Sequence, residues 1–441
     1  MSRSATIALT VALLAAACGS DSQDSGEPAA RGSSATAAAA PPPGGDEQGQ
    51  AADGQAGDPV TALSDHVAAT CATDDPVEAP QIEPSPREDV PSALRDRTDP
   101  AFPDPLVDPD EIVSGGPPPD GIPAIDDPKF VRQCSVDWLA AGEPVLVLDM
   151  AGDVRAYPLQ VMTWHELVND IVGSVPVTVS YCPLCNSAVA YDRRVGNRVL
   201  DFGTSGSLYN SALVMYDRQT ESLWSHFTAG AVVGVLTGTE LDRFPLQTVS
   251  FADYRAARPD GLVLSRDTGF DRDYGRNPYT NYDNPESRPL LFRGEYDRVL
   301  AAKTRVLTVE RGGEAVAIVQ EALVDQRVLE FDIGGETLVA LAKPGTASAL
   351  DTRSIVDGRD IGATGVFVPE ADGQRLTITA DGDTFRDVET GSMWNILGRA
   401  TDGPLRGSQL QPVEHLDTFW FAWSAFQPET TILLAEPAAT S

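Results

Sequence analysis

The sequence predicts a mainly β protein with a few helices, a β-rich α+β fold built from duplicated strand-rich halves. Three observations carry this. From Pro144 onward, short runs rich in Val, Tyr and Phe alternate with turn residues, which is the pattern of brief strands. Helical periodicity is confined to a few short stretches. One set of residues also returns at fixed spacing: Asp217, Thr220, Ser222 and Trp224 recur as Asp387, Thr390, Ser392 and Trp394, the mark of an internal repeat.

Residues 1–18 read as a lipoprotein signal peptide. Arg3 gives a short basic start, and residues 5–17 form an apolar run shorter than the about 20 residues a membrane span needs. Leu14-Ala-Ala-Ala precedes Cys18, so small residues lead into a cysteine that would become the lipidated N-terminus. An ordinary secretory signal is the alternative. Both send the chain out of the cytoplasm, and lipidation makes the membrane a partner. Residues 19–62 read as a disordered tether, because 19–59 hold no Val, Ile, Leu, Met or aromatic residue to offset the entropy of ordering. Residues 63–130, rich in Pro, Asp and Gly, are expected to wrap in extended form.

The first half is expected over 131–265, with strands near 144–149 and 154–157 and a helix around 159–172. Strands near 175–181, 188–191, 198–202 and 212–216 follow. Residues 266–320 form a polar connecting loop and strands, and the second half is expected over 321–436. The repeat carries Gly238 and Leu241 onto Gly407 and Leu410, one residue closer to the Trp. The same offset carries Pro259 onto Pro428, after expected helices at 251–258 and 419–427. Asp, Thr and Ser at these spacings tie turns to backbone amides, and Trp fills a core. Residues shared by both halves therefore belong to scaffold.

A net charge of −33 argues against nucleic acid as a partner, since phosphate needs a positive face. Of five cysteines, Cys18 is the lipid site. Cys71 and Cys134 are the natural disulfide in an oxidising compartment. Cys182 and Cys185 form a local Cys-Pro-Leu-Cys unit, and the corresponding stretch of the other half, 340–349, has no cysteine.

That unit follows one alternating strand and precedes another, so it reads as a tight turn between strands. Asn186 after it tolerates a left-handed backbone. Such a turn aims two sulfurs at one point, like half of a zinc-ribbon knuckle, and two more ligands are then wanted. His165, shortly before the cysteines, and Met215 or His226 complete a set that suits zinc or copper by ligand softness. A local disulfide, or a pair of packed thiols, is the competing reading. Glu166, Asn169, Ser205 and Tyr209 are the polar residues that could line a pocket there. His165 and Asn169 would share a helix face. Asn169 stands where a metalloprotease helix needs its second His. The stretch 201–207 reads as a strand ending in a Gly-rich loop, and no base can be placed beside Ser205.

The motifs Tyr157-Pro, His165-Glu, Asn169-Asp, Tyr181-Cys-Pro-Leu-Cys, Phe202-Gly-Thr-Ser-Gly and Asp217-Arg-Gln-Thr-Glu-Ser-Leu-Trp resemble an exported bacterial and archaeal family, the domain-of-unknown-function family three-one-seven-nine. The resemblance runs from Ser114 to Leu434. It implies an extracytoplasmic, duplicated domain and assigns no activity. His226 stands where the family pattern has Gln, which favours His165 as the ligand. The function expected is an exported lipoprotein with a metal or redox centre at the Cys182–Cys185 turn. A thiol–disulfide protein without metal and a non-catalytic cell-envelope binding module remain the alternatives.

Overall fold

The computed structural model describes residues 77–433. The expected signal peptide, tether, Cys18 and Cys71 lie outside them. The described chain is mainly β, with four α-helices of seven residues each.

Two copies of one strand order make up the fold. In the first, Gln247–Ser250, Pro144–Met150, Asp153–Pro158 and Leu262–Leu264 lie side by side; in the second, Leu416–Phe419, Arg305–Arg311, Glu314–Val319 and Thr431–Leu433 do the same. The last strand of each set joins in parallel. Helix Leu159–His165 of the first copy corresponds to Gln320–Gln326, and Phe251–Ala257 to Trp420–Phe426. A second sheet carries Leu167–Val172, Val175–Cys182 and Ser187–Asp192 in one copy and Val328–Ile333, Glu336–Lys343 and Ala363–Val368 in the other. The second copy begins with Arg305, so the expected boundary at 321 falls after two strands that the pairing places with it.

The repeated residues make the same bonds twice. Trp224 Nε1 donates to Asp217 at 2.9 Å, and Trp394 Nε1 to Asp387 at 2.9 Å. The amides of Thr220 and Thr390 each donate to that aspartate at 2.6 Å. Burial of an apolar indole whose one polar atom is satisfied locally is what the spacing secures.

Two expected elements differ. The helix expected over 159–172 ends at His165, because Glu166 adopts a left-handed φ of 60° and closes the last turn on Met162. Leu167–Val172 is then a strand, buried at every position and paired with Val175–Cys182, so pairing and burial override a helical reading. His165 and Asn169 therefore share no helix face. The strand expected to end in a Gly-rich loop within 201–207 instead continues as Phe202–Tyr209, which bulges between Thr204 and Ser207. Gly206 sits in that bulge at φ 71°, where a Cβ would stand 2.0 Å from the Pro117 carbonyl oxygen.

Candidate functional site

Strand Val175–Cys182 runs straight into the turn Pro183–Asn186, and strand Ser187–Asp192 leaves it, with Cys182 opposite Ser187. Asn186 closes the turn at φ 51°, a conformation that Asn accepts at low cost. Cys182 and Cys185 are free thiols, 1% and 0% exposed. Burial pushes the Cys185 thiol well above its ordinary range; the neighbouring Cys182 adds to this and Ser187 opposes it.

A hydrogen-bonded file runs from Cys185. Its Sγ lies 3.2 Å from Ser187 Oγ, which lies 2.7 Å from His226 Nε2. His226 Nδ1 is 2.8 Å from Ser180 Oγ. All four residues are buried. His226 arrives from the next sheet, just after Ser225 pairs with Val214. Burial, with Arg243 beside it, lowers its pKa to about 3, so the ring is neutral, with one donor and one acceptor nitrogen.

Glu166 pairs with the strand that leads into the turn. Its carbonyl accepts from the Tyr181 amide at 2.8 Å, and its carboxyl meets the Tyr279 hydroxyl at 3.4 Å. Burial raises the Glu166 pKa to about 7. Tyr279 lies within electrostatic reach of both Glu166 and Cys182, and together with burial they push its hydroxyl well above the ordinary range. The second copy has Arg327 at the equivalent backbone position, φ 75°, so the carboxyl, like the thiols, is confined to the first copy.

Tyr279 belongs to residues 265–304, which contain no strand or helix. Segments this long without regular structure are commonly functional. Tyr279, Tyr282, Phe292 and Tyr296 pack on the core cluster that holds both cysteines. The stretch is fastened by Asp283, fully buried and paired with Arg305 at 3.0 Å and Arg359 at 2.8 Å; those cations hold its pKa below the usual carboxylate range against the effect of burial. Lys303 donates to the Tyr282 carbonyl at 2.6 Å. Residues 344–362, the second copy's counterpart of the cysteine turn, receive it through bonds from Asn277 to Arg353 and from Tyr282 to Leu350.

A family model matches residues 119–430, which is most of the chain, under the description Protein of unknown function (DUF3179). The chain belongs to this family. No curated protein and no solved structure matches it. The DUF3179 match spans the cysteine turn, Glu166, the covering stretch and both copies.

The structure does not bring the expected ligand set together. His165 is committed at both ring nitrogens, to the Pro123 carbonyl at 2.8 Å and the Tyr274 hydroxyl at 2.7 Å. Burial lowers its pKa to about 4. Met215 is buried in the cysteine cluster and opposes Trp224. Among the described residues, no group of three or more His, Cys, Asp and Glu is arranged to hold a metal. Asn169 spends its amide on Asp126 and on both backbone groups of Phe202. Ser205 donates to Val214 and accepts from Ser207 within the bulge. Tyr209 packs edge-on against Phe426. These three serve the scaffold. Cys134 lies in the turn Gln133–Ser135, while Cys71 lies outside the described residues. Ser180, Ser187 and Asp283 carried no signal in the sequence, whereas Tyr279 lies in the polar aromatic run 273–282 between the halves, whose composition suits a pocket lining.

Proposed function

We propose that this protein is an exported thiol–disulfide protein whose working centre is the Cys182–Cys185 pair. The observation that carries the reading is a free thiol pair in one turn, with Tyr279 in reach of both Cys182 and a buried Glu166 carboxyl whose pKa is about 7. Titratable groups shifted toward working pH collect where chemistry is done.

The partner is a disulfide of another molecule. Cys182 gives its proton to the Glu166 carboxylate, and the thiolate attacks one sulfur of that disulfide. The partner S–S bond breaks, and its other sulfur leaves as a thiolate. Cys185 then gives its proton to the partner thiolate that has left and attacks Cys182. The second partner sulfur departs, the pair is oxidised to a disulfide, and the partner is reduced by two electrons. The stretch 265–304 has to swing aside for the first attack, since neither sulfur is exposed.

A metal at the turn is the weaker reading, because His165 is engaged elsewhere. Lipidation at Cys18 and delivery to the membrane surface belong to the same proposal; Cys18→Ser should move the protein to the soluble fraction, and unchanged partition removes the anchor. The central test counts thiols by alkylation and intact mass after equilibration in glutathione buffers. Reversible loss of both Cys182 and Cys185 is expected. Thiols that stay free in oxidised glutathione, even at denaturant levels that loosen the covering stretch, overturn the redox reading, as does stoichiometric zinc or copper after anaerobic purification.

A further inference from the structure

Resting on that redox reading, we infer that Ser187 is a hydrogen-bond donor to the Cys185 sulfur and that His226 is the positioning residue that turns it there. The direction of the file follows from counting protons. If Nδ1 carried the imidazole proton, it would donate to Ser180 Oγ, and the Ser180 hydroxyl would then need a second acceptor. Among the described residues, Ser180 Oγ has His226 alone as a hydrogen-bond partner. With the proton on Nε2 every atom is used. Ser180 donates to Nδ1, Nε2–H donates to Ser187 Oγ, and the Ser187 hydroxyl is left to donate to Cys185 Sγ. The Cys185 proton then points to the Cys182 carbonyl, 3.8 Å from the sulfur.

This array matters in the second step. Cys185 attacks as a thiolate where burial and Cys182 disfavour the charge, and the Ser187 hydroxyl is the side-chain donor aimed at it, beside that residue's own backbone amide. One hydrogen bond to a charged group is worth about a factor of ten in thiolate population. A stabilised thiolate is also a weaker nucleophile, which returns about half of that on a logarithmic scale. Closure of the mixed disulfide should therefore slow about threefold when the donor is lost.

The experiment follows the full mature protein reacting with oxidised glutathione and resolves mixed-disulfide formation from closure by quenched mass spectrometry. Ser187→Ala, which removes a single oxygen, and His226→Phe should slow closure and leave the first step unchanged. His226→Gln, which keeps an N–H for Ser187 Oγ, should restore it. A wild-type protein that never reacts removes the redox reading and this inference with it. A wild-type protein that cycles, with Ser187→Ala closing at the same rate or with both steps slowed alike, overturns the inference alone.

Discussion

The carbonyl oxygen of Cys185 accepts two hydrogen bonds from Thr418 and its neighbour: Thr418 Oγ1 donates at 2.9 Å and the Phe419 amide at 3.0 Å. The turn that bears the thiols is thus held by a strand of the other copy. Thr418→Val keeps shape and removes one donor while the amide remains. A loss of about 1 kcal/mol is expected in urea unfolding, with looser closure of the pair. Unchanged stability would show that the amide suffices.

Glu166 sets a pH signature. Burial lifts its pKa from 4.5 to about 7, so the folded chain keeps a proton that the unfolded chain has released. Stability from this group is full below the unfolded value and is lost as pH rises through the folded one, amounting to about 3 kcal/mol. Glu166→Gln should flatten that decline and be the more stable protein in mild alkali. It should also slow attack by Cys182 about a hundredfold, as loss of a proton acceptor does. An identical pH–stability curve for the variant would show that the carboxyl titrates elsewhere.

The histidines act in the opposite window. Burial depresses His165 to about 4 and His226 to about 3 from an ordinary 6.5, so stability present above 6.5 is lost as pH falls through those values. His226→Gln and His165→Gln should each soften acid unfolding, read by tryptophan fluorescence. Only the first touches the thiol file. An acid transition that moves in neither variant would place its cause in the carboxylates.

Arg359, with its side chain 42% exposed, is the outer of the two cations on Asp283. Arg359→Gln leaves Arg305 in place and so avoids stranding a buried charge. The exposed position discounts the pair, and a several-fold rise in alkylation of Cys182 is expected, with global stability little changed. Labelling at the wild-type rate would mean that 265–304 does not gate access.

Asp217 and Asp387 offer a matched pair. Each anchors an indole and a threonine amide, but the first lies deeper, and its pKa is raised by burial where that of Asp387 is lowered by its hydrogen bonds. Alanine at either should cost about 3 kcal/mol by stranding donors, with the larger loss at Asp217. Denaturant titration of both variants checks the order.

What the sequence made legible was local or periodic. The Cys-Pro-Leu-Cys turn, its left-handed Asn186 and the twofold Asp–Thr–Trp anchor all depend on residues within a few positions of one another. His226 did not, because strand pairing brings it 39 residues back to Ser187. Nearness along the chain misled for His165, whose helix ends with the ring facing Pro123 and Tyr274 rather than the sulfurs. Glu166 was legible as a candidate pocket residue, but its setting was not: its own left-handed backbone ends the expected helix and starts a buried strand.

One connection differs sharply in length between the two copies of the scaffold. Where one copy makes a four-residue hairpin bearing thiols, its sibling inserts 344–362 and grips the cover. The thiol turn and the clamp that holds its cover thus occupy equivalent loops of the two copies. Neither half could be inherited or exchanged alone without losing either the chemistry or its shelter, so the two are expected to change together or not at all.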